Sequence, residues 1–114
     1  MVETPKFIQG VYSFKGAGLE RPVVLAGAHY TVPGDKRAQL TYLRAGNSTP
    51  ELVYLVLHRD GKPMRYFPIG AKGSVHVPLV IVEDLHPETR VELLVGAPEG
   101  VPGFVVVDMG LVEI

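Results

Sequence analysis

Leu52-Val53-Tyr54-Leu55-Val56-Leu57-His58, Arg59-Asp60-Gly61-Lys62-Pro63 and Met64-Arg65-Tyr66-Phe67-Pro68-Ile69 read together as two strands joined by a tight turn. Asp-Gly between two apolar runs is a strong hairpin signal, because both residues tolerate the positive φ angles of a type I′ turn and its twist suits the flanking strands. The segment predicts an antiparallel pair, Leu52 to His58 with Met64 to Ile69. No helical period competes with it here or in the rest of the chain from Val23 to Ile114.

Working outward, short apolar runs recur between Gly, Pro and Asp turns. Val23 to Ala26, with Ala28 to Val32 as its extension past Gly27, and Ala38 to Ala45, Val75 to Val82, Arg90 to Val95 and Phe104 to Ile114 are expected to be strands. Residues 7–14 are β-prone around Gly10, and Lys15 to Pro22 reads as a loop, so residues 1–22 are expected to be an edge strand or arm. Pro78 has no N–H and predicts an edge or a bulge in its strand. Glu83 to Glu88 reads as a loop with room for one helical turn. The sum is an all-β chain, a single antiparallel β-sandwich of about 7 to 9 strands occupying residues 1–114.

The chain of 114 residues suits one domain. Hydrophobic residues make up 46% and charged residues only 20%, an apolar balance. Lys and Arg number 11 against 12 acidic residues, for a net charge of −1 with the signs mixed along the chain. No basic block exists to release counterions from nucleic acid or to bind an anionic membrane surface, so neither partner is expected. Cysteine is absent, which excludes thiol catalysis, thiolate metal sites and disulfides. Met1 to Lys6 lacks the basic patch and apolar core of a signal peptide, so the expected location is the cytoplasm if Met1 is the native start, or an assembled particle. Amides are scarce (Gln9, Gln39, Asn47) beside 10 Pro and 13 Gly, a balance seen in heat-adapted proteins and in turn-rich sandwiches alike.

Several strands carry apolar residues at both parities, where a half-wet strand would alternate. Leu52 to Leu57, Val77 to Val82 and Phe104 to Val107 all do so. Assigning Val53, Leu55, Leu57, Leu79 and Ile81 to the core leaves Leu52, Tyr54, Val56, Val80 and Val82 on the outside as a candidate interface. An apolar outer face predicts a homo-oligomer or a place in a larger protein assembly.

The segment Leu85-x-Pro87-x-Thr89-x-Val91-x-Leu93-x-Val95 resembles the turn and following strand of fibronectin type III and immunoglobulin-like domains. That resemblance implies that Leu85 plugs the sandwich, Pro87 stiffens the turn, Thr89 ties the loop backbone and Val91, Leu93 and Val95 face the core. Leu40 to Gly46 is similar to a central strand of such domains. A Tyr usually stands in these domains where this chain has Val91, and a Trp on an early strand is missing here. Val107-Asp108-Met109-Gly110 resembles the last strand of jelly-roll carbohydrate-binding modules, the rival architecture. Both resemblances imply binding rather than catalysis.

Tyr30, Tyr42, Tyr54 and Tyr66 recur every twelve residues, one per strand, and in a common sheet they would form a stacking platform for a carbohydrate or another small ligand. His29, His58, His76 and His86 have no metal-ligand spacing, so no metal or cofactor is expected. Glu83, Asp84 and Glu88 form an acidic loop around His86, Asn47-Ser48-Thr49 is a formal glycosylation acceptor, and Gly16-Ala17-Gly18 lacks the strand-to-helix setting of a phosphate loop. No catalytic constellation emerges. The sequence predicts a non-catalytic structural or accessory β-sandwich, coat-type or self-assembling, with a carbohydrate-binding module as the alternative.

Overall fold

The computed structural model describes residues 3–114, less the side chains of residues 80–83. Eight strands follow one another: β1 (Thr4–Lys15), β2 (Gly18–Thr31), β3 (Ala38–Asn47), β4 (Val53–Arg59), β5 (Lys62–Ile69), β6 (Ser74–Leu85), β7 (Arg90–Ala97) and β8 (Pro102–Glu113). They form two antiparallel four-stranded sheets in the orders β1-β8-β3-β6 and β2-β7-β4-β5. The β4–β5 hairpin stays within its sheet and every other connection crosses between sheets. That is the winding of an eight-stranded jelly roll. Of the two architectures the sequence allowed, this is the jelly roll rather than the immunoglobulin-like sandwich, whose second strand lies beside the fifth: here β2 pairs with β7.

The hairpin forms as its turn chemistry dictates. Asp60 and Gly61 take φ of 50° and 81°, and the strands pair from Val53 with Ile69 to Arg59 with Lys62. Elsewhere two strands run longer than expected. The loop from Lys15 shrinks to Gly16-Ala17, because the Gly16 amide donates to the Val101 carbonyl and the Gly100 amide to the Gly16 carbonyl, each at 2.8 Å. A Cβ on Gly16 would stand 2.1 Å from the Pro98 carbonyl oxygen. Likewise Glu83 and Asp84 are strand, not loop: β6 bulges between Pro78 and Glu83, then resumes pairing with Leu40, Gln39 and Ala38.

The core lies between the sheets. Val53, Leu55 and Leu57 of β4 and Val91, Leu93 and Val95 of β7 are fully buried, and they meet Leu40, Leu43, Leu79, Leu85, Val105, Val107, Met109 and Leu111 from the other sheet. Each Leu or Val sealed in this way contributes about 1.5–3 kcal/mol. The core face assigned from the sequence is the one observed for β4 and β7, and Leu85 plugs the sandwich as expected. Ile81 lies outside the described side chains.

One buried polar knot fixes a loop. Asn47 accepts from the Thr49 amide and hydroxyl through Oδ1, at 2.9 Å each, and donates through Nδ2 to the carbonyls of Glu51 (2.8 Å) and Gly70 (3.1 Å). With both ends of its amide engaged and the residue buried, Asn47 serves the β3–β4 connection rather than carrying a glycan. Among the described residues no buried side-chain nitrogen or oxygen lacks a hydrogen bond.

Candidate interaction surface

The outer face of the β1-β8-β3-β6 sheet is set by register. Gln9, Asp108, Arg44 and His76 lie in one row across its four strands, Phe7, Gly110, Tyr42 and Pro78 in the next, and Val11, Val106, Gly46 and Ser74 on the other side. Asp108 is the hub of the central row. It accepts from Arg44 at 2.5 Å, from the Tyr42 hydroxyl at 2.8 Å and from Gln9 at 3.0 Å. These donors, Arg44 foremost, hold its carboxyl down to about 2. Gly110 makes room for the Tyr42 ring, which would stand 2.2 Å from a Cβ there. The Arg44 guanidinium lies 5.6 Å from the Tyr42 ring centre and His76 meets the ring edge-on. Gly46 then leaves a shallow groove of about 770 Å³ between Val106 and Ser74.

Beside this polar centre the surface is greasy. Phe7 and Val11 on β1 and Phe104 and Val106 on β8 are exposed by 53%, 65%, 44% and 47%. All four point outward on two neighbouring strands, with Val11 opposite Val106 and Ser13 opposite Phe104.

The outer face of the second sheet is sealed at its middle, while Val24 at its edge stays 56% exposed. Val56 pairs laterally with Leu94 and Tyr66, and Leu94 with Val24. Val56 is only 1% exposed and Leu94 7%, so Val56 is corrected from interface to interior: its own neighbours cover it. Tyr54 lies across Gly96, where a Cβ would meet its ring at 2.1 Å, and donates to the Leu19 carbonyl at 2.6 Å. Leu52 and Tyr66 stay exposed, and Tyr66 sits 5.7 Å from Tyr54 between ring centres. Val80 and Val82 lie outside the described side chains.

The four tyrosines do not share a face. Tyr42 belongs to the first sheet, whereas Tyr54 and Tyr66 stand together on the outside of the second. Tyr30 turns inward on β2 and donates to Glu113 of β8, linking the two sheets. Burial first, then Glu113, raises the Tyr30 hydroxyl far above the ordinary tyrosine range. The twelve-residue repeat fails as a platform because the connections on either side of β3 cross from sheet to sheet and Tyr30 faces inward on β2. His29 and His58 flank Glu92 in one row, but Glu92 accepts from Arg90 at 3.2 Å, and no group of three His, Asp or Glu among the described residues is arranged to hold a metal ion. Asp84 pairs with Arg37. No helix among the described residues is long and apolar enough to cross a membrane.

Sequence reasoning passed over Phe7 and Val11. Their alternation, Phe7-x-Gln9-x-Val11, was readable, but only the pairing of β1 with β8 shows that Val11 continues the exposed apolar residues Phe104 and Val106, with Phe7 across the Gln9–Asp108 row.

No protein-family profile matches the chain, and no curated protein matches it. Solved structures do match in fold. They include chains from the structures of infectious bursal disease virus strains Gx and Gt, with TM-scores of 0.53 and 0.50 and 14% identity to each. A chain of the infectious bursal disease virus VP2 subviral particle aligns with a TM-score of 0.52 and 10% identity. The alignments cover 97% to 98% of this chain and 32% of those chains, so it spans about a third of their length. At such identities the likeness is one of fold: the chain is an all-β, two-sheet sandwich of the kind those virus chains contain.

Proposed function

We propose that this chain is a non-catalytic, coat-type structural subunit that works by packing its outer surface against further copies of itself within a larger particle. The observation that carries the reading is the cluster of Val11, Val106 and Phe104 left in water on adjacent strands, with Phe7 exposed beyond the polar row of Gln9 and Asp108. Leu52 and Tyr54 add a second contact region on the opposite sheet. The fold likeness to a chain of a subviral particle supports the same reading. Sedimentation velocity over a concentration series, with negative-stain electron microscopy of the heaviest fraction, tests it. Growth from monomer to discrete larger species is expected, and an unchanging monomer at every concentration contradicts it.

A second reading rests on the Tyr54–Tyr66 pair, in which the exposed Tyr66 ring beside half-buried Tyr54 offers a stacking surface to a carbohydrate. Tyrosine fluorescence titrated with a polysaccharide panel tests this one. A saturable change lost in Tyr66→Ala supports it, and no change with any sugar removes it.

A further inference from the structure

We infer that the free edge of β1 is a pairing edge for a second copy of this chain, the two β1 strands running antiparallel about a two-fold axis at Gln9. The inference deepens the assembly reading above and rests on it.

The four sheet edges are treated differently by the sequence. Exposed edges invite strand addition, and proteins blunt them with proline and bulges. β2 carries Pro22 and two register shifts, β5 carries Pro63 and Pro68 with a shift beside Pro63, and β6 carries Pro78 and a bulge running to Glu83. β1 alone runs without a shift, from Thr4 opposite Glu113 to Lys15 opposite Pro102. Its one proline, Pro5, is at the second position.

The direction of its free amides follows from one bond. Gly16, continuing β1, donates to the Val101 carbonyl at 2.8 Å, so even-numbered residues turn their backbone groups toward β8. By alternation the odd-numbered residues turn theirs toward the open edge. Pro5 is odd, so its missing N–H costs no bond to β8, while Phe7, Gln9, Val11 and Ser13 present free backbone groups to a partner.

An antiparallel partner must match odd with odd. Centring the pair on Gln9 sets Phe7 opposite Val11 of the second copy, and the symmetry repeats that apolar match. It also sets Glu3 opposite Lys15 at both ends, an opposite-charge pair on one face. The joined sheet would carry the order β6-β3-β8-β1-β1-β8-β3-β6, and its outer face would merge the two patches of Phe7, Val11, Phe104 and Val106 into one. Pro5 then faces Ser13 and leaves one amide missing in each outer pair, while the central pairs of Phe7, Gln9 and Val11 are complete and the charges and apolar residues match.

The chain has no cysteine, so single substitutions report position cleanly. In the hydrogen-bonded pair on the axis the two Cα atoms stand about 5.5 Å apart, whereas Ser13 and its symmetry mate are offset by about 27 Å along the strand. With a short bis-maleimide, Gln9→Cys is expected to crosslink nearly completely into a dimer, and Ser13→Cys and His76→Cys, on the same strand and the opposite edge, are not. Phe7→Lys with Val11→Lys should weaken dimerisation by roughly tenfold to a hundredfold, since both symmetry-related pairs are lost, with the strand signature in circular dichroism unchanged. If the chain assembles in sedimentation yet Gln9→Cys crosslinks no better than Ser13→Cys, the assembly reading stands and the β1 pairing is overturned. If the chain is monomeric throughout and no variant crosslinks, both fall.

Discussion

Val11 and Val106 stand directly opposite each other across the β1–β8 ladder, and both remain largely in water. A monomer gains nothing from such a pair beyond strand propensity, so replacing both with Thr should leave folding stability within about 0.5 kcal/mol. Self-association should weaken in the same variant. Urea denaturation and sedimentation, run side by side, check the two halves of that expectation.

Gly96 and Tyr54 form a matched pair on the other sheet. Gly96→Ala drives a methyl into the Tyr54 ring, and relief requires the ring to move and give up the Leu19 carbonyl. A loss of about 1–3 kcal/mol is expected, as for other overpacked sites. In a Tyr54→Ala background the same substitution should be close to neutral. A double-mutant cycle measured by chemical denaturation gives the coupling directly.

Tyr30 supplies the hydroxyl that a buried Glu113 carboxylate accepts. Tyr30→Phe strands that carboxylate and should cost about 1–3 kcal/mol at neutral pH, read from urea midpoints. The raised folded pKa of Tyr30, set first by burial and then by Glu113, also fixes a direction. Its contribution is complete below the ordinary tyrosine pKa of about 10 and declines as pH rises beyond it. In an alkaline titration followed at the tyrosinate absorbance, one tyrosine should therefore ionise last, together with unfolding, and vanish in Tyr30→Phe.

Asp108 has the opposite sign. Arg44, Gln9 and Tyr42 hold its carboxyl at about 2 in the folded chain, against about 3.9 when unfolded. The stabilisation is present above pH 4 and is lost as pH falls from 4 toward 2. Asp108→Asn should be less stable than the parent at pH 6, and the gap should close in that acid window. Thermal midpoints at three or four pH values check it.

Much of this was legible in the sequence, for reasons that vary by element. Asp60-Gly61 announced its hairpin because turn chemistry is local, and Val53, Leu55 and Leu57 announced their core face because parity along one strand is local too. Strand order was not legible. Leu85-x-Pro87-x-Thr89 fits the corner of more than one sandwich, and pairing β1 with β8 joins residues about a hundred positions apart. For the same reason Val56 read as surface: its cover, Leu94 and Tyr66, comes from other strands. The twelve-residue tyrosine repeat misled because chain spacing does not survive connections that cross between sheets.

The claim that this sandwich is built to be covered is tested most directly by sedimentation equilibrium of the full chain beside its Phe7→Lys, Val11→Lys variant. The account expects the parent to associate with rising concentration and the variant, folded alike, to associate only at roughly tenfold to a hundredfold higher concentration. Identical monomers in both, up to the highest soluble concentration, would contradict it.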